Sequence, residues 1–138
     1  MNHLGSAALS EFELADGMER CVYPNAQFHH ADHLRLAWHY LRAYGDPAAS
    51  ERIGETILRY AASLGHPEKY HATVTLGWMR LVAAALRCTP ECAEFAAFLG
   101  GHAWLLNRDS LLSFYSRERL SGAEARAGWV EPDLHPLP

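Results

Sequence analysis

The chain reads as all-α: a compact bundle of four main helices, short helices near the C-terminus, and an extended Pro-rich tail. Three observations predict this. Apolar residues recur at helical spacing along most of the chain. Gly and Pro divide it into segments of helix length. No stretch alternates apolar and polar residues over a useful strand length. The 138 residues fit a single helical domain, 1–138, large enough for an independent core.

Residues 1–5 read as loose. Ser6 to about Gly17 reads as a first helix, with Leu9, Phe12 and Leu14 turned inward. Met18 to Gln27 is a connector with a turn at Pro24-Asn25. A histidine-bearing helix follows and is closed by Gly45-Asp46-Pro47, a strong stop signal. Pro47 suits the first turn of the next helix, which runs to about Leu64 with Ile53, Ile57, Tyr60, Ala61 and Leu64 on one face. Gly65 falls where a helix C-terminus wants glycine. The next helix spans about Pro67 to Arg87, its inward stripe being His71, Thr75, Trp78 and Val82, with Thr73, Arg80 and Arg87 opposite. Thr89-Pro90 opens a shorter helix holding Phe95, Phe98 and Leu99 and ending at Gly100-Gly101. Asn107 or Asp109 caps a short helix over Leu111, Leu112 and Phe114. Ser121, with Glu124 three residues on, has the form of a capping box for Gly122–Ala127. Residues 129–138, WVEPDLHPLP, are too Pro-rich for regular structure; Trp129 and Leu134 are the expected anchors. Trp38, Trp78 and Trp104 are expected in the core.

Composition narrows the function. The apolar fraction is 49%, the charged fraction 20% and the net charge −4. Lys and Arg are scattered, which argues against nucleic-acid or anionic-membrane binding. Three cysteines, an odd number, give no disulfide framework and point to a reducing compartment. No secretory signal pattern is visible, and no apolar run approaches the ~20 residues that span a bilayer. A soluble, cytoplasmic protein is expected.

The most informative stretch is Phe28 to Tyr44, FHHADHLRLAWHYLRAY. It places three histidines, His29, His30 and His33, within five residues. At about 100° per residue, His33, Ala37, Leu41 and Tyr44 share one side, with His30 and Leu34 at its margin. Asp32, Arg35, His39 and Arg42 fall on the other. His29 and His33 stand at i and i+4, neighbours on a helix surface. Two such imidazoles bind one metal ion when a third ligand comes from elsewhere.

His71, on the inward stripe of its own helix, is the candidate third ligand, since bundles build metal sites from facing helices. His30 is the alternative to His29. Three imidazoles with an open position would form a site able to do chemistry. Asp32 or Glu68 would orient the rings. Tyr70, Thr75 and Tyr40 are the candidate catalytic side chains, placed to hydrogen-bond a metal-bound water or a substrate. The cofactor would be one divalent transition metal, with Cu, Zn and Fe left open by imidazole ligation. The competing reading is a buried histidine network whose ring nitrogens satisfy one another and nearby acceptors.

The stretches FHHADHLRLAWHYLR, KYHATVTLGW and YSRERLSGAEARAGWVEPDL resemble a family of small bacterial helical proteins, over most of the chain from about Phe28. The resemblance implies that the FHH..H and YH segments act together. It implies too that Tyr115, Ser116 and Glu131-Pro132-Asp133 belong to the same unit. It implies no reaction.

The sequence therefore leads to a mononuclear metal enzyme with His29, His33 and His71 as ligands. It would act on a small apolar or aromatic substrate, with oxidative chemistry favoured over hydrolysis. A homodimer stays open; nucleic-acid and membrane partners are not expected. The alternative is a non-catalytic helical module that binds a ligand or partner, or a metal store or sensor.

Overall fold

The computed structural model describes residues 10–138, and all regular structure among them is helical. The expectations for residues 1–5, for Leu9 and for a helix start at Ser6 lie outside these residues. The chain divides into two units, with the boundary between Tyr70 and His71. None of the described helices is long and apolar enough to cross a membrane.

The first unit holds α1 (Glu11–Glu19), α2 (His30–Tyr44) and α3 (Ala48–Ser63), each packed on the other two. Ser10 starts α1 with a capping box. Its hydroxyl accepts from the Glu13 N–H at 3.1 Å, and the Glu13 carboxylate accepts from the Ser10 N–H at 2.9 Å. Leu14 and Met18, one turn apart, turn inward and are fully buried. Phe12 does not: it is 71% exposed, because it lies two residues from Leu14 and so on the opposite side of the helix.

Helix α2 ends where the pattern places it but starts at His30, so His29 precedes it as the N-cap. Gly45 follows with φ +68°, the left-handed region that glycine enters without strain. Its buried face is wider than the expected stripe. Asp32 and Arg35, placed outside by the periodicity, are both buried. The reason is that α2 has a neighbour on two sides; Arg35 reaches Glu11 of α1 in an ion pair of 2.9 Å. Tyr44, expected inside, is 47% exposed. In α3, Ile53 and Tyr60 are buried as expected and Thr56 joins them. Ile57 is only half-buried, and Leu64, beyond the last turn, is exposed.

The second unit holds α4 (Ala72–Cys88), α5 (Phe95–Gly101), α6 (Arg117–Ser121) and α7 (Ala123–Ala127). Helix α4 starts five residues later than expected, because Pro67–Lys69 forms a separate 3-10 turn and His71 becomes the N-cap. Thr89 ends α4 rather than opening α5. Asn107 does cap the 3-10 segment Arg108–Ser113, accepting from the Asp109 N–H at 3.0 Å. The capping box expected at Ser121 is not formed. Ser121 is the last residue of α6 and donates to the Glu118 carbonyl, while Ser116 caps α6. Phe95, Phe98, Leu99, Leu105 and Leu111 are buried. Gly77 lets Leu111 approach α4, since a Cβ there would stand 3.1 Å from a Leu111 methyl. Trp104, expected in the core, is 42% exposed. Residues 129–138 form neither helix nor strand.

Candidate functional site

The histidines of α2 do not lie as a regular i, i+4 pair. His29 is the N-cap, with extended backbone at φ −111° and ψ 174°. Its side chain therefore leaves the helix lattice, and it is exposed. Its backbone N–H donates to the Asp32 carboxylate at 3.0 Å, so Asp32 closes the helix start. His33 lies inside the first turn. Its Nε2 is buried and has no hydrogen-bond partner among the described residues. Burial, with a smaller contribution from His30, pushes the His33 imidazole down to about 4, so its neutral form prevails at pH 7. The Phe28 ring is its aromatic neighbour, 6.5 Å away between centroids.

His71 belongs to the second unit, and both of its ring nitrogens are engaged. Nδ1 accepts from the Val74 N–H at 3.1 Å, capping α4. Nε2 then carries the proton and donates to the Leu120 carbonyl at 2.7 Å. As placed, the ring has no lone pair to offer an ion. Among the described residues, no group of three or more His, Cys, Asp or Glu side chains is arranged to hold a metal. The carboxylates expected to orient the rings have other partners. Asp32 accepts from the His29 backbone, and Glu68 stands 3.2 Å from Nδ1 of His66.

The candidate catalytic side chains have surroundings of their own. Tyr40 donates to the Glu19 carboxylate at 2.5 Å and accepts from the Thr56 hydroxyl at 3.2 Å. Burial and the Glu19 carboxylate raise its pKa, so it stays a phenol. Tyr70 is half-buried, its pKa raised by burial. Its hydroxyl lies 3.2 Å from where a Cβ on Gly54 would sit. Thr75 is buried in α4 of the second unit.

In the second unit a set of polar contacts gathers at the C-terminal segment. Thr73, expected on the wet face, is fully buried. Its hydroxyl donates to the Gly128 carbonyl at 2.7 Å and accepts from the Val130 N–H at 3.1 Å. Tyr115 donates to the Val130 carbonyl at 2.7 Å, and burial pushes its pKa up to about 12. Ser116 bonds both Asp133 oxygens, through its N–H at 2.8 Å and its hydroxyl at 2.6 Å. These bonds hold the Asp133 carboxyl below its usual range. Arg119 Nε donates to the Glu131 carbonyl at 3.0 Å. Leu134 anchors through its backbone, the N–H donating to Phe114 at 2.9 Å, while its side chain is 49% exposed.

This segment and Arg80 of α4 line an open groove of about 310 Å³, with Glu131, Pro132, Asp133, Leu134, His135, Pro136 and Leu137 as the other lining residues. Trp129 stands beside it, edge-on to Tyr115 at 6.2 Å. The Arg80 guanidinium lies 4.8 Å from the Trp129 ring centroid. The Trp129 indole N–H donates to the Glu131 carboxylate at 2.9 Å. Arg80 carried no signal in the sequence beyond a place on the outer face of its helix. The Ser116–Asp133 pair spans 17 residues, too far for local pattern to reveal.

No known family model matches this chain, and neither does any curated protein or any solved structure.

Proposed function

We propose that this chain is a non-catalytic helical module that binds a small ligand, with its histidines serving the fold. The observation that carries this reading is His71. One ring nitrogen caps α4 and the other donates to Leu120, the arrangement of a satisfied structural histidine. Tyr40 is likewise committed to Glu19 and Thr56. The groove beside Arg80 supplies a concave surface for a ligand; its volume is at the small end of the range of about 300–1,000 Å³ typical of ligand sites.

A second reading keeps one observation of its own. The buried, unpartnered Nε2 of His33, neutral at pH 7, is the kind of nitrogen a transition metal takes. In that reading His29 and His33 hold a Cu, Zn or Fe ion with His71. The ion would activate a bound water or O2 against a small apolar substrate.

Elemental analysis separates the two. Protein without an affinity tag is reconstituted with Cu, Zn and Fe in turn and dialysed, alongside His33→Ala and His71→Ala. The module reading expects far less than one ion per chain in every case. A near-stoichiometric ion lost in both variants overturns it in favour of the metalloenzyme.

A further inference from the structure

Arg80 and Glu131 carry opposite charges and line the same groove, yet they form no ion pair with each other. Trp129 holds both. Its face lies under the guanidinium and its indole N–H grips one oxygen of the carboxylate. The guanidinium has no hydrogen-bond acceptor, and the second Glu131 oxygen no donor, among the described residues. Both side chains belong to exposed residues. The other carboxylate in the groove, Asp133, has both oxygens engaged by Ser116. His135 is exposed at the same groove. Here one aromatic ring contacts both Arg80 and Glu131, beside a groove whose remaining walls include Pro132, Leu134, Pro136 and Leu137.

We propose that this groove binds a small zwitterion with an apolar side chain, an α-amino acid or its close kin. The ligand carboxylate takes the free N–H donors of Arg80, a match of planar fork to carboxylate. The ligand ammonium takes the second oxygen of Glu131. The apolar body lies along the prolines and leucines. A ligand with one charge satisfies only half of the pair and leaves the other charge unmatched. This inference rests on the binding-module reading and gives that reading its ligand class.

The test is an NMR titration of the full chain labelled with 15N, following the Trp129 indole and the Leu134 amide. The ligands are L-norleucine, hexanoate and hexylamine, each to tens of millimolar. L-Norleucine is expected to give saturable shifts at both positions. Hexanoate and hexylamine should bind about tenfold more weakly or worse. Arg80→Met keeps the stem over the indole, and Glu131→Gln keeps an acceptor for its N–H. Each should weaken norleucine by about tenfold or more while leaving the rest of the spectrum in place. Absence of saturable shifts overturns the proposal, as does hexanoate matching norleucine or either variant binding unchanged. A metal-loaded protein would overturn the module reading by elemental analysis without altering the outcome of this titration.

Discussion

His71 Nε2 donates to the carbonyl of Leu120 at 2.7 Å across 49 residues of sequence, while its Nδ1 caps α4. One imidazole thus joins the start of α4 to the end of α6. His71→Ala should destabilise the fold by about 1–3 kcal/mol, through a lost cap and a lost part-buried hydrogen bond. His71→Asn, a good N-cap, should recover part of that loss. Urea unfolding followed by circular dichroism checks both. An unchanged midpoint in His71→Ala would contradict the structural role.

The His33 ring gives the fold a pH dependence of definite sign. Its folded pKa is lowered to about 4, from 6.5. Between those values the unfolded chain binds the proton more readily than the folded one, so stability rises with pH. The contribution is complete above about pH 6.5 and falls away as pH drops toward 4. Its size is on the order of 3 kcal/mol. Urea unfolding at a series of pH values from 4 to 7 should show this slope. His33→Leu should flatten it, and an equal slope in the variant would assign the effect to other groups.

Thr73 secures the C-terminal segment from a buried position. Thr73→Val keeps the shape but leaves the Gly128 carbonyl and the Val130 N–H without their partner. A loss of about 2 kcal/mol is expected, with faster hydrogen exchange at the Val130 amide. Thr73→Ser should restore most of both. Exchange at Val130 unaffected by Thr73→Val would show that Thr73 does not hold the segment.

Glu19 tests the polar cluster of the first unit. Burial alone would raise its pKa, but the Tyr40 hydroxyl and the Arg52 guanidinium outweigh it and lower it below 4.5. A lowered carboxylate stabilises the fold above its unfolded pKa, and that contribution is lost as pH falls. Tyr40→Phe should therefore raise the Glu19 pKa and cost about 1 kcal/mol at pH 7. Carboxyl 13C titration reads the first effect and urea unfolding the second.

What could be read from the sequence was whatever local chemistry decides. The end of α2 follows from its periodicity and the Gly45-Asp46-Pro47 stop. The inward turn of Leu14, Ile53, Tyr60, Trp78 and Phe98 follows from spacing alone. The failures share a cause, a partner far along the chain. Thr73 looks like a surface residue until Gly128 and Val130 arrive to satisfy its hydroxyl. Arg35 looks exposed until Glu11 of α1 meets it. The periodicity puts His71 on a helical face, but Pro67 opens a separate 3-10 turn and leaves His71 as a cap. Ser121-x-x-Glu124 has the spacing of a capping box, but Ser116 takes the capping role one helix earlier. The groove at Arg80 depends on residues about 50 positions away, which no periodicity connects.

The most direct test of the account is the protonation pattern of the His71 ring, read from long-range 1H–15N correlations while Zn or Cu(I) is added. The account predicts a ring with its proton on Nε2 and a bare Nδ1, with both ring nitrogen shifts unchanged by a stoichiometric ion. An Nδ1–H form, or a ring nitrogen shift that follows the metal to a 1:1 endpoint, would contradict it and make His71 a ligand.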